Sequence, residues 1–170
     1  LSKATCTRAI NDLSASGLIS QTAEGTNKWI TTAYTKSELL EKAYGRLKTP
    51  VDRILYVKGT AQIEHPIASG IRALARQSMI GVNDQDGAIA IFKKEAAKIP
   101  AEDICTKQYF EDFGGAVIEV WSYDPIILER DGCVDDISLL LSMDNDPNER
   151  VQTCLDEIRQ KHGLPIKEEE

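Results

Sequence analysis

Residues 1–30 read LSKATCTRAINDLSASGLISQTAEGTNKWI, and the order of cap, apolar stripe, glycine and short strands in this stretch decides how the chain is understood. Ser2 is a good N-cap and Gly17 stands where a helix closes in a left-handed turn. Between them Cys6, Ala9, Ile10 and Leu13 recur at helical spacing and form one apolar stripe. The opposite face carries Ala4, Thr7, Arg8 and Asn11, with Lys3 and Thr5 at its N-terminal end. "GLIS" then supplies apolar residues for a strand, "QTAEGTN" a polar loop tip, and "KWITT" a β-branched, aromatic return strand. The plain alternative is an amphipathic helix and a hairpin whose polar faces meet only water.

Working outward, the bulk properties set bounds. The chain has 170 residues, enough for one domain or for a small domain joined to a larger one, and is 42% hydrophobic. No apolar run approaches the roughly 20 residues that cross a bilayer, and no signal-peptide core is visible at the start. Membrane partners are therefore not expected, and a cytoplasmic location is. Cys6, Cys105, Cys133 and Cys154 form no CxxC pair, so buried free thiols are expected rather than zinc or disulfides. The net charge is −7, but residues 1–48 hold seven Lys/Arg against four acids, or +3, leaving 13 basic and 23 acidic residues, or −10, for the remainder. Halves of opposite sign suggest two jobs, the first compatible with nucleic acid.

The next stretch, TKSELLEKAYGRLKTP, predicts a connecting helix with a Thr35–Glu38 capping box, an apolar face of Leu39, Leu40, Ala43 and Leu47, and an end before Pro50. From Val51 the texture becomes that of an α+β or α/β domain. "VDRILYV", "GAIAIF" and "AVIEVWSY" read as strands. "IASGIRALARQS" reads as a helix burying Ile67, Ile71, Leu74 and Ala75, and "DDISLLLSM" as a short helix. A last helix is expected to start near Asp146–Pro147, to bury Val151, Cys154, Leu155 and Ile158, and to stop by Gly163. The expected organisation is a partial winged helix over 1–34, a connecting helix over 35–49, an α+β domain around a small sheet over 50–163, and a frayed acidic tail over 164–170.

Catalytic signatures are scarce. His65 and His162 have no Cys, Asp or Ser at a triad or metal spacing, and neither a P-loop, a G-x-G-x-x-G nor a G-x-S-x-G elbow occurs. No catalytic residue, metal ligand or cofactor is assigned. Asp135, Asp136, Asp144 and Asp146 form an acidic group that can cap helices or hold a divalent cation. "WSYDP" ends a strand, and Trp121, Tyr123 and Asp124 there are candidates for a ligand or partner pocket, with core packing plus a turn as the alternative. On the first helix Ser2, Lys3, Thr5, Thr7, Arg8 and Asn11 suit a DNA major groove, since Arg pairs with guanine, Asn with adenine, and Thr with bases or phosphate. Thr26, Asn27 and Lys28 near the hairpin tip suit the backbone.

These residues carry a resemblance. LSKATCTRAINDLSASGLI resembles the recognition-helix segment of winged helix-turn-helix regulators of the MarR type, through Ser2, Thr5, Thr7, Arg8, Leu13, Gly17, Leu18 and Ile19, over about 35 residues. The two helices that would precede it are not in the chain, so a truncated beginning is expected, and the tip AEGTNKW is poorer in arginine than the family's wing. SGIRALARQSMI, VIEVWSYDP and VDDISLLLSMDNDPNERVQTCLDEI resemble, more distantly, the domain behind the winged helix in AbiEi-type antitoxin or autorepressor proteins. The resemblance implies a DNA-binding transcriptional regulator that binds double-stranded DNA as a homodimer, with a sensing or partner-binding C-terminal domain. An antitoxin-like module that neutralises a protein partner is the second expectation, and a nucleotide-handling enzyme the third.

Overall fold

The computed structural model describes residues 2–25, 27–59, 62–81 and 87–166. The fold is α+β, and the chain divides into two compact units, Leu1–Leu47 with Gln160–Glu170, and Lys48–Arg159. The sequence reading instead kept residues up to 163 with the C-terminal domain.

In the first unit, helix α1 spans Lys3–Ala15, opened by Ser2, whose hydroxyl accepts from the Thr5 N–H at 3.1 Å. It closes as the glycine predicts. Gly17, at φ +72°, lets its own N–H reach the Ser14 carbonyl and the Leu18 N–H reach the Leu13 carbonyl, the paired bonds of a Schellman turn. Leu18 is buried behind that turn. Strands β1 (Ser20–Glu24) and β2 (Asn27–Thr31) pair antiparallel, with Glu24 opposite Asn27. The strands are thus longer and the tip shorter than expected, because Gly25, at φ +61°, begins the reversal directly. Helix α2 spans Lys36–Tyr44 and has the expected capping box, the Glu38 carboxylate accepting from the Thr35 N–H at 2.8 Å. It ends at Gly45 with the Arg46 N–H bonded back to Ala43, five residues short of Pro50.

The apolar stripe of α1 is a correction. No residue of α1 is fully buried: Ile10 is partly buried, while Cys6, Ala9 and Leu13 are exposed. β1 and β2 are exposed along their whole lengths.

The second unit is built on a five-stranded sheet. Strands β3 (Val51–Val57), β4 (Ile67–Ser69), β5 (Ala88–Phe92), β6 (Ile104–Cys105) and β7 (Ala116–Trp121) lie in the order β4-β5-β7-β3-β6. β5 and β7 are parallel and the other pairs antiparallel. β7, a run of Val, Ile and Trp, is central. One of its faces packs Ile118 and Val120 with Val57, Ile91 and Ala96, Ala96 coming from the short helix α4 (Lys93–Ala96). The other face turns Val117, Glu119 and Trp121 towards helices α3 (Gly70–Ala75) and α6 (Asp136–Met143). Helix α5 (Lys107–Phe113) sets Phe110 against Tyr56, and helix α7 (Glu149–Lys161) buries Val151, Leu155, Ile158 and Arg159.

Two helix starts differ from expectation. IASGIRALARQS begins as strand β4, and only Gly70, at φ +55°, turns the chain into α3. Ile67 is buried as a strand residue. α7 begins at Glu149, two residues beyond Pro147, because the Asn148 side chain accepts from the Arg150 N–H at 3.0 Å and caps it there. All four cysteines are free, but only Cys133 is buried as expected; Cys105 and Cys154 are partly exposed, and Cys6 is exposed on α1.

Candidate functional site

Along α1 the residues expected to meet DNA stand in two groups. Three hydroxyls are engaged locally, with Ser2 and Thr5 sharing a 2.8 Å bond and Thr7 donating to the Lys3 carbonyl at 3.0 Å. Thr7 therefore offers acceptor lone pairs rather than a donor. Lys3, Arg8 and Asn11 are exposed, and among the described residues their side chains have no partner. Arg8 and Asn11 are three apart and so lie on one helix face, about one and a half and two turns from the exposed N-terminus. Asp12, one turn after Arg8, adds an acid to that side and lowers its net charge. On the hairpin, Asn27 and Lys28 are exposed beside the tip, with Lys28 opposite Ala23. Thr26 lies outside the described residues. Trp29 and Ile30 are half exposed on the same hairpin.

In the second unit the three residues of WSYDP part company. Trp121 is wholly buried, and its indole N–H donates to the Glu119 carboxyl at 3.0 Å. The Tyr123 hydroxyl bonds to Ser138 Oγ, which bonds in turn to the Asp135 carboxylate. This chain fastens the end of β7 to the first turn of α6. Burial pushes the Tyr123 hydroxyl up, aided by the Asp135 charge and opposed by the Ser138 bond. Asp124 caps the 3-10 turn Pro125–Ile127 through the Ile126 N–H at 3.2 Å. Packing and capping engage all three: the Trp121 ring is fully buried, and Tyr123 and Asp124, both partly exposed, are bonded locally through the Tyr123 hydroxyl and the Asp124 carboxylate.

The four aspartates are likewise dispersed into local duties. Asp135 caps α6 through the Ile137 and Ser138 N–H groups, both at 3.1 Å, and Asp136 sits in its first turn. Asp144 pairs with Arg159 at 2.7 Å, and Asp146 accepts from the Asn148 N–H at 2.9 Å. Among the described residues no three His, Cys, Asp or Glu side chains are grouped to hold a metal ion. His65 is exposed in a loop at φ +52°, and His162 is partly exposed just past the end of α7.

Glu119 is the residue that sequence reasoning missed. It sits mid-strand on the sheet's central strand, only 8% exposed. Burial raises its carboxyl above the usual range, opposed by the Trp121 bond and by the Ser69 hydroxyl. Ser69 is itself completely buried and lies beside that carboxyl without closing a hydrogen bond of good geometry. Gly70 flanks it closely, since a Cβ there would stand 3.6 Å from Glu119 Oε1. The pattern Glu-x-Trp held the signal, for residues two apart on a strand share a face and an indole N–H is a donor seeking an acceptor.

Among known proteins, no family model, no curated protein and no solved structure matches the chain significantly. Among the described residues no helix is long and apolar enough to cross a membrane.

Proposed function

We propose that residues 1–34 read duplex DNA in the manner of a winged helix, with α1 as the recognition helix and β1–β2 as the wing, and that the chain is a cytoplasmic transcriptional regulator acting as a homodimer. The observation that carries this reading is the open polar edge of α1. Lys3, Arg8 and Asn11 project from a helix none of whose residues is buried, and an exposed hairpin with Lys28 beside its tip follows at once. A B-DNA major groove admits one α-helix, and Arg and Asn are the side chains that pair bidentately with guanine and adenine there. The +3 charge of residues 1–48 against −10 for the rest would orient the molecule on the phosphates. Dimerisation matches two half-sites.

Fluorescence anisotropy with labelled duplexes tests this between about 50 and 200 mM salt, followed by selection from a randomised duplex pool. Affinity falling with salt and a recovered consensus support the reading. No binding at the lowest salt overturns it. A protein-interaction role for the second unit is the other reading, favoured by the contiguous exposed run Ile126, Ile127 and Leu128.

A further inference from the structure

On α1 the edge proposed to face DNA carries an acid among its donors. At about 100° per residue Arg8 stands at the middle of that edge, Asn11 about 60° to one side and Asp12 about 40° to the other. All three are exposed, as are Ala4 and Ala15, which lie between Arg8 and Asn11 around the helix and put no bulk in front of the backbone. Cys6, Ile10 and Leu13 occupy the opposite side.

Nothing local explains Asp12. Its side chain has no hydrogen bond or ion pair among the described residues. Only its carbonyl takes part in the helix end, accepting from the Ser16 N–H at 3.1 Å. Asp12 opens the last turn of α1, where the negative end of the helix dipole opposes an acid, and aspartate is a poor helix former. Arg8 stands four residues before it, yet the two do not pair, a cation preceding an acid being the weaker order for such a pair. A carboxylate on an edge turned to DNA is repelled by phosphate. In the major groove the guanine O6 and thymine O4 acceptors repel it too, whereas cytosine offers it the N4 amino group.

We infer that Asp12 is a specificity-determining residue: its carboxylate accepts from a cytosine amino group close to the guanine that Arg8 reads, and its charge rejects guanine, thymine and phosphate at that place. The inference rests on α1 being the recognition helix. Arg8 and Asp12 are about 6 Å apart along the helix axis, less than two base steps of about 3.4 Å, so the cytosine stands within two base pairs of the guanine. Residues 1–48 carry only +3, so phosphate contacts are few and base contacts carry the selectivity.

Selection from a randomised duplex pool, run in parallel on the full-length wild type, Asp12→Ala and Asp12→Asn, tests it, followed by anisotropy at about 50 mM salt. The wild-type consensus should hold the cytosine, and changing that C·G pair to T·A should weaken binding about tenfold. Asp12→Ala should lose this preference, keep the guanine, and bind an unselected duplex at least about threefold more tightly. Its Tm should be no lower than that of the wild type, alanine being the better helix former. Asp12→Asn should move the preference from cytosine to adenine, the base that asparagine bonds bidentately, a change of specificity that no folding defect imitates. A consensus that is the same for the wild type and both variants overturns the inference, marks Asp12 as a solvated surface acid and leaves DNA reading by α1 intact. A wild type that binds no duplex removes the DNA reading itself, and the inference with it.

Discussion

Arg159→Met tests the charge network that joins the end of α6 to α7. Arg159 is 1% exposed, with Nη2 2.7 Å from Asp144 Oδ1 and Nη1 2.6 Å from Asp156 Oδ1. Burial pulls its guanidinium down, and the two carboxylates more than offset that, so the net displacement is upward. Methionine keeps much of the apolar stem, so the loss isolates the charge. Removing one member of a fully buried pair costs about 3–5 kcal/mol, because the survivor is left uncompensated. Here the surviving aspartates are 33% and 25% exposed, so water takes over part of their solvation and the expected cost is about 2–4 kcal/mol. For a unit of this size that is a fall of roughly 10 °C in Tm. Circular dichroism melts and urea titrations measure it. If orphaned carboxylates cause the loss, the triple variant Arg159→Met, Asp144→Asn, Asp156→Asn should recover more than half of it. A fall under about 2 °C, or a triple variant no more stable than the single one, refutes the argument.

Arg8→Ala should leave Tm almost unchanged, since Arg8 is exposed and unpartnered, while DNA affinity measured by anisotropy falls by about 1–3 kcal/mol if Arg8 reads a guanine. If Arg8 meets phosphate alone, the loss should be alike for all sequences, with a salt slope shallower by about one unit. Glu119→Gln should change the pH dependence of Tm: with the folded carboxyl raised above its ordinary 4.5, the native state holds a proton the unfolded state has lost. Stability of the wild type is then full below that ordinary value and declines as pH rises through the folded value, a decline the glutamine chain should lack. Gly115→Ala should cost about 1–3 kcal/mol or more in urea titrations, because Gly115 holds φ +146° and a Cβ there would stand 2.1 Å from the Val57 carbonyl oxygen. Lys48–Arg159 expressed by itself should melt cooperatively, since the whole five-stranded sheet and its core belong to that unit; a broad, non-cooperative melt would mean a shared core.

What was legible in the sequence was what local chemistry decides. The Ser2 cap, the Gly17 turn and the Thr35–Glu38 box each act within four residues, and all three form. The β-branched runs of β3, β5 and β7 also stood out, being long enough to alternate. The failures are non-local. β6 is two residues, Ile104 and Cys105, made a strand only by their pairing with Tyr56 and Val57. Ile67–Ser69 fits a helical stripe as well as a strand, and its pairing with β5 decides for the strand. Glu119 escaped notice because a charged residue in an alternating strand reads as solvent-facing, and nothing local announces the helices that cover it.

The two buried charges of the second unit make an instructive contrast. Replacing a buried ionic group by an apolar one of similar volume is often neutral or stabilising, so each demands a reason for being there. Arg159 explains itself, for both ends of its guanidinium meet carboxylates and it ties the end of α6 to α7. Its role is structural. Glu119 has one good donor, from a tryptophan two residues on, with the buried Ser69 hydroxyl beside its carboxyl. Leucine at that position would escape the desolvation cost but would leave the buried Trp121 indole N–H without its acceptor.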